Sequence, residues 1–311
     1  MPSSADALIV SAPASSANLG PGFDTLAVAL DLSNAVVVTS RPGPLSVRVV
    51  GEGEGELPED ETNLVCQALS EGLGDLDGID IECRNRIPLG RGLGSSAAAV
   101  CSGLVAANAL GRLRWTPDEI LARADRLEGH ADNAAACLTG GVVAVTPGPT
   151  VCSLGLPEDL AFVVAVPSER VSTDDARASL PEHITLTAVA ATLSRAVGLS
   201  LALSEGRLDD LGPLLADDVH EPSRGRLVPG LAELRGLAGD DGCLGVTISG
   251  SGPSALLWAR VDDADALAKR AQAALAEVGV DSDVKVRKPS ATGVRARWGG
   301  SETSRLAKAV G

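Results

Sequence analysis

The sequence predicts a two-domain α+β protein, and three observations carry that prediction. Several short runs alternate apolar with polar residues, the period of two of a half-buried strand. Other runs are rich in alanine and leucine and open on helix-capping residues, and Pro147-Gly148-Pro149 punctuates the chain near its midpoint. A chain of 311 residues that is 45% hydrophobic can bury a large core, and its length favours two domains over one. We place the boundary near residue 155, giving an N-terminal domain over 1–155, a C-terminal domain over 156–298 and a tail over 299–311.

Taken in order, Leu8 to Ala12 and Ala35 to Thr39 read as strands around a loop of small residues, and Leu45 to Val50 as a third strand. Ile79, Ile81 and Cys83 alternate with Asp80, Glu82 and Arg84 as the next. Ala97 to Leu110, interrupted by Gly103, predicts a buried helix starting near Ser95. Thr116-Pro117-Asp118-Glu119 is a capping box with proline at the first helical position, so a helix runs from Pro117 to about Glu128 and ends at Gly129. Asp132 caps a further helix closed by Gly140-Gly141, and Val142 to Thr146 is a strand. Beyond the boundary, Ala161 to Val166, Leu244 to Ile248 and Ala255 to Ala259 are strands, while Ile184 to Leu203 and Ala264 to Val278 are helices. Residues 299 to 311 read as a loosely held or partner-wrapping tail whose basic charge serves solvation.

Composition narrows the function. A formal charge of -15 repels phosphate backbones, and a chain with two Phe, three Trp and no Tyr has no basic stripe with interleaved aromatics, so nucleic acid is not an expected partner. Six cysteines are scattered without a CxxC pair, mostly in apolar runs, as expected of reduced thiols in the cytoplasm. The apolar run Ala7 to Val10 is too short and lacks the basic flank of a signal peptide, and nothing in the sequence reads as a membrane span.

Residues 88 to 96, Pro88-Leu89-Gly90-Arg91-Gly92-Leu93-Gly94-Ser95-Ser96, lie between the strand at Ile79 and the helix at Ser95. Glycines leading into a helix N-terminus let a polyphosphate approach unpaired N–H groups at the positive end of the helix. The loop is not a Walker motif, because no lysine follows the glycines before the serine pair. Nor is it a dinucleotide loop, because the third glycine position falls on Ser95. A flexible turn is the plain structural alternative.

Three further segments concentrate polar residues: Ala12-Pro13-Ala14-Ser15-Ser16-Ala17-Asn18-Leu19-Gly20-Pro21-Gly22-Phe23-Asp24, then Glu128-Gly129-His130-Ala131-Asp132-Asn133, then Ser249-Gly250-Ser251-Gly252-Pro253-Ser254. Singly, the second reads as helix caps and the third as a tight turn. In this order, together with the Gly90 to Ser96 loop, they resemble the GHMP kinases, and the first is similar to the N-terminal signature of the homoserine kinase family.

The resemblance implies a ribosomal-S5-like N-terminal domain, a ferredoxin-like C-terminal domain and an active site between them. It implies an enzyme that phosphorylates the hydroxyl of L-homoserine with MgATP, giving O-phospho-L-homoserine for threonine biosynthesis, and that works as a homodimer. ATP is then held by Pro88, Leu89, Gly90, Arg91, Gly92, Leu93, Gly94, Ser95, Ser96, Ala97 and Ala98, with Asn63-Leu64-Val65 walling the adenine. Ser96 and Glu128 hold Mg²⁺, with Asp132 as a rival ligand; a carboxylate and a hydroxyl suffice for a hard cation that keeps its waters. A zinc reading of Glu128, His130 and Asp132 has no Cys or second His at a recognisable spacing to complete it.

Homoserine is a zwitterion with a free hydroxyl. On the resemblance Asp24 takes the ammonium, Arg177 and Arg224 the carboxylate, and Asn18 the hydroxyl, with His130 and Asp132 beside the acceptor. Arginine suits a carboxylate because its fork is planar and bidentate. Asn18 and Glu128 are then the catalytic residues, in a transfer that asks mainly for positioning and charge neutralisation. Other readings are a kinase for another small alcohol, such as shikimate or mevalonate, and a non-catalytic metabolite binder.

Overall fold

The structure is a computed structural model and describes residues 7–299. The first half holds β1 (Ala7–Asn18), β2 (Gly22–Ser40), β3 (Ser46–Gly51), α1 (Leu64–Leu73), β4 (Ile79–Asn85), α2 (Ser95–Gly111), α3 (Pro117–Glu128), α4 (Asp132–Thr139), β5 (Val142–Thr146) and β6 (Thr150–Leu154). The second holds β7 (Leu160–Pro167), α5 (Thr173–Ala178), α6 (Leu186–Ser204) and the short helices α7 (Leu211–Leu214), α8 (Glu221–Arg224) and α9 (Leu231–Arg235). It continues with β8 (Cys243–Ile248), β9 (Ala255–Arg260), α10 (Ala264–Glu277), β10 (Ser282–Arg287) and β11 (Arg295–Gly299).

The second sheet runs β10-β7-β9-β8, all neighbours antiparallel, and with α6 to α9 and α10 as its two crossovers this is the ferredoxin-like arrangement. Both faces are buried along β7, β8 and β9, which explains their nearly continuous apolar sequences, while β10 alternates half-buried valines with polar residues. Phe162, Val164, Leu256 and Trp258 point into the large core shared with the first half, while Ala161, Val163, Leu257 and Ala259 pack with Leu267, Ala271 and Leu275 of α10.

The first sheet runs β11-β1-β2-β4-β3, with β5 on β2 and β6 on β5. β2 pairs with β1 along its length, with β4 through Ala35–Ser40 and with β5 through Leu26–Val28. Two expectations change here. The loop of small residues after Leu8 to Ala12 is mostly strand: Ala12, Ala14, Ser15, Ser16 and Ala17 are buried on β1, where their size lets α2 and α4 pack close. The C-terminal domain does not extend unbroken to residue 298, because Arg295–Gly299 leaves its sheet and pairs with β1 from Ala7↔Gly299 to Ser11↔Arg295. Gly299 therefore belongs to a strand, and the rest of the proposed tail lies outside the described residues.

α6 also corrects the sequence reading. Among the described residues it is the one helix long and apolar enough, by length and composition, to cross a membrane. It is nevertheless packed on one side, with Thr192, Leu199, Ala202 and Leu203 buried, and Thr192 Oγ1 accepts from the Asp218 amide at 3.1 Å.

Candidate active site

Gly94 is the N-cap of α2, in left-handed conformation at φ 68°; no side chain accepts from the first turn and no acidic residue lies in it. By contrast Asn63 caps α1 and Thr116 closes the expected capping box on α3. The first N–H groups of α2 therefore lack an intramolecular side-chain acceptor and sit at the positive end of the helix, a geometry that receives an anion. Gly92, at φ 70°, packs against the Ser249–Gly252 turn, and Ser249 Oγ donates to Gly92 O at 2.8 Å. The two glycine segments, far apart in sequence, thus form one surface.

Ser96 stands on the exposed side of α2, and its Oγ donates to Glu128 Oε2 at 2.7 Å. Glu128 ends α3, where burial pushes its carboxyl above the usual carboxylate range despite the hydrogen bond from Ser96. Beside it, His130 Nδ1 donates to Asp132 Oδ1 at 3.1 Å, a bond that raises the imidazole, and Asp132 Oδ1 also accepts the Asn133 amide at 2.7 Å. Among the described residues no group of three or more His, Cys, Asp or Glu is arranged to hold a metal, so the zinc reading gains nothing from the fold.

The turn from β1 to β2 carries Asn18 and Asp24, both at positive φ (73° and 49°). Asn18 Nδ2 donates to Gly250 O at 2.8 Å and its Oδ1 accepts the Asp24 amide at 3.0 Å. One amide hydrogen and one lone pair stay free for a ligand. Arg177 of α5 makes a two-pronged bond to Asp24, Nη1 to Oδ2 at 3.1 Å and Nη2 to Oδ1 at 3.0 Å. Arg224 of α8 is buried, donates to Gly250 O at 3.2 Å through Nη1, and leaves Nε without a partner. Burial lowers its guanidinium from the ordinary value.

Most of these groups open on one cleft of about 610 Å³ between the two halves of the chain; Glu128 is outside its lining and meets it through the hydrogen bond from Ser96. The lining includes Asn18, Asp24, Asn63, residues 88–96, His130, Asp132, Arg177 and Arg224. Such a volume takes a nucleotide-sized ligand. Several predicted residues are placed differently from expectation. Ala97 and Ala98 lie outside the lining with their methyl groups in the core, and the Ala98 amide is spent on Gly94 O. Arg91 lines the cleft, but its guanidinium is occupied by the carbonyls of Pro167, Leu89 and Ser168, clamping the loop to the end of β7. Asn63 spends its amide on Val65 N and Pro58 O, so its side chain shapes the wall. The sequence reading missed Arg170, which pairs with Glu56 and runs its stem over Gly90. Its only signal was proximity to the Ser172 to Arg177 segment.

Comparison with known proteins agrees with this architecture. The family model for the GHMP kinase N-terminal domain matches residues 62–141 and that for the GHMP kinase C-terminal region matches residues 199–280, so fold and site define a GHMP-type kinase. A homoserine kinase of Moorella thermoacetica is 38% identical over 259 residues, 81% of this chain and 87% of the relative. One from Carboxydothermus hydrogenoformans is 37% identical over 287 residues, 90% of this chain and 94% of the relative. The crystal structure of homoserine kinase from Cytophaga hutchinsonii superposes with a TM-score of 0.85 at 32% identity, covering 94% of this chain and 97% of the other. A galactokinase from Lactococcus lactis, at 15% identity and a TM-score of 0.68, shares the fold. The chain belongs to the homoserine kinase family.

Proposed function

We propose that the chain transfers the γ-phosphoryl group of ATP to the hydroxyl of L-homoserine, the activity named for its relatives. The observation that carries the reading is the meeting, in one cleft, of an uncapped helix N-terminus at Gly94 with the Asp24–Arg177 pair. One end suits a triphosphate and the other a zwitterion. The homoserine ammonium takes the place of Arg177 beside Asp24. Its carboxylate lies against Arg177 and Arg224, which brings the hydroxyl toward Asn18.

In the transfer, the hydroxyl oxygen forms a bond to the γ-phosphorus as the bond from that phosphorus to the β,γ-bridging oxygen breaks; ADP leaves with the electron pair and the hydroxyl proton passes to solvent. Asn18 carries no basic nitrogen, so its contribution is alignment of the hydroxyl. The amides of α2 hold negative charge that spreads over peripheral phosphate oxygens. Ser96 and Glu128 offer two hard oxygens 2.7 Å apart, and the Glu128 carboxyl is short of a counter-charge, a donor set that fits Mg²⁺. When bound, Mg²⁺ neutralises phosphate charge.

Incubation of the purified protein with MgATP and homoserine yields phosphohomoserine by mass spectrometry on this reading. Phosphorylation of mevalonate or shikimate instead, or ligand binding without turnover, refutes it. We place the enzyme in the cytoplasm and infer a homodimer, to be checked by light scattering. α6 offers an exposed apolar face, Leu186, Val189, Leu193, Val197 and Leu201, for that contact.

A further inference from the structure

His220 is fully buried and lines no part of the cleft, yet it touches the turn that carries Asp24 in two ways. Its Nε2 lies 2.8 Å from Gly20 O, and because a carbonyl only accepts, Nε2 carries the proton. Its ring stacks on Phe23, with centroids 5.2 Å apart and planes 29° apart. Phe23 is the residue before Asp24, and Arg224 lies 5.1 Å from the centroid of the same ring. Phe23 therefore rests against both an imidazole ring and a guanidinium.

The turn needs such support. Asn18, Leu19, Gly20 and Asp24 all have positive φ, at 73°, 47°, 76° and 49°. Three of them are not glycine, and left-handed backbone is disfavoured for L-residues even where Asn and Asp tolerate it. Such a conformation persists when surrounding contacts over-determine it. Inside the turn the contact is Asn18 Oδ1 with the Asp24 amide; from outside come Asn18 Nδ2 to Gly250 O and the His220 bond to Gly20 O. His220 is itself fixed, since its amide and that of Glu221 donate to Asp217 Oδ2 at 2.7 and 2.8 Å.

We propose that His220 is a positioning residue for the acceptor site, holding the Asn18–Asp24 turn through Gly20 and Phe23 so that Asp24 faces the amino group of the substrate. The proposal rests on the homoserine reading for its kinetic consequence, but its mechanical consequence is independent of the acceptor. His220→Phe keeps a ring against Phe23 and removes the donor to Gly20, leaving a buried carbonyl unsatisfied. His220→Gln restores a donor at the Nε2 position without the ring.

The expected result is a homoserine KM raised about tenfold in His220→Phe and less in His220→Gln, with the ATP KM within about twofold of wild type in both. A double-mutant cycle with Phe23→Leu is expected to be non-additive, because the two rings act as one contact. In hydrogen exchange on the ligand-free protein, His220→Phe is expected to speed exchange in the peptides covering Asn18–Asp24 while those covering residues 90–96 keep their protection. Unchanged exchange in that turn overturns the proposal whatever the acceptor is. So does an equal rise in both KM values, which marks a general loss of structure. Failure of the wild type to phosphorylate homoserine, with the exchange result as expected, would remove the homoserine reading and leave the positioning role standing.

Discussion

Replacing Gly92 with alanine places a methyl carbon 2.1 Å from Ser249 O, 2.9 Å from Gly252 O and 3.0 Å from Gly252 N, at a backbone φ of +70°. All three neighbours are main-chain atoms, so no rotamer change relieves the contact, and the phosphate loop must separate from the Ser249–Gly252 turn. Left-handed backbone costs an alanine about 1–2 kcal/mol. Overpacking adds about 1–3 kcal/mol, and loss of the Ser249 Oγ bond to Gly92 O adds about 1 kcal/mol. A total of roughly 3–6 kcal/mol corresponds to a fall in melting temperature of the order of 10 °C. Gly148→Ala isolates the backbone part, since Gly148 has φ +79° with nothing within 4 Å of the added carbon. Thermal melts of the two variants give the docking cost by difference, and initial rates at varied ATP show whether the loop has moved; we expect the ATP KM of Gly92→Ala to rise at least about tenfold. A Gly92→Ala protein that melts with Gly148→Ala and binds ATP normally would refute the idea that the two glycine segments form one phosphate-binding surface.

Glu128→Gln keeps the shape that accepts from Ser96 but loses the charge, so kcat should fall by about 100-fold or more with a weakened apparent Mg²⁺ affinity; a Mg²⁺ titration identical to wild type would exclude the ligand role. Asp24→Asn should raise the homoserine KM by about 10- to 100-fold and leave the ATP KM unchanged, because only the ammonium end loses its partner. Burial pushes the Glu221 carboxyl up to about 7, against a bond from the Ile248 amide and the half-exposed Arg235. Its folded value exceeds its unfolded one, so this group's contribution to stability is fully present below about pH 4.5 and falls as pH rises to about 7, by roughly 3 kcal/mol. Glu221→Gln removes that dependence; melts of both proteins between pH 4.5 and 8 should show wild type losing ground to the variant, and a constant gap would show that the carboxyl is not perturbed.

The parts legible in the sequence are those encoded over a few neighbouring residues. Thr116 to Glu119 states a helix start by itself, because the reciprocal hydrogen bonds need only a spacing of three. The glycines before Ser95 announce a loop opening on a helix for the same reason, and the alternation at Ile79 to Arg84 fixes a strand. What escaped notice depends on contacts across the chain. Arg295 to Trp298 reads as the end of the C-terminal domain and Gly299 as the start of the tail until β1 supplies their partner, and the return of Arg295–Gly299 to the first sheet leaves no local periodicity to find. Arg91 looked like a phosphate ligand because its neighbours are glycines. The carbonyls of Pro167 and Ser168, which occupy it, come from a strand end more than seventy residues away. His220 is silent for the same reason: its partners Gly20 and Phe23 lie some two hundred residues earlier.

The two arginines assigned to the acceptor differ in a way that bears on how the site meets its ligand. Arg177 and Asp24 are each about 38% exposed and neutralise one another in the ligand-free protein. A pair at that exposure is worth about 0–1 kcal/mol, so exchanging both partners for the ammonium and carboxylate of a zwitterion sacrifices little. Arg224 is 2% exposed, makes one bond to a main-chain oxygen, leaves Nε unpaired and is lowered by burial, the condition of a buried cation with carboxylates nearby but no direct ion pair among the described residues. A ligand carboxylate reaching it supplies the missing charge in a poorly screened place, where the same contact is stronger than at the mouth of the cleft. An amine lacking the carboxylate could still pair with Asp24 but would leave Arg224 uncompensated, and a hydroxy acid lacking the amine would leave Asp24 competing for Arg177. On the proposed assignment, the arrangement would discriminate by requiring both ends of the zwitterion at once, the gain being set at Arg224 and the register at Asp24.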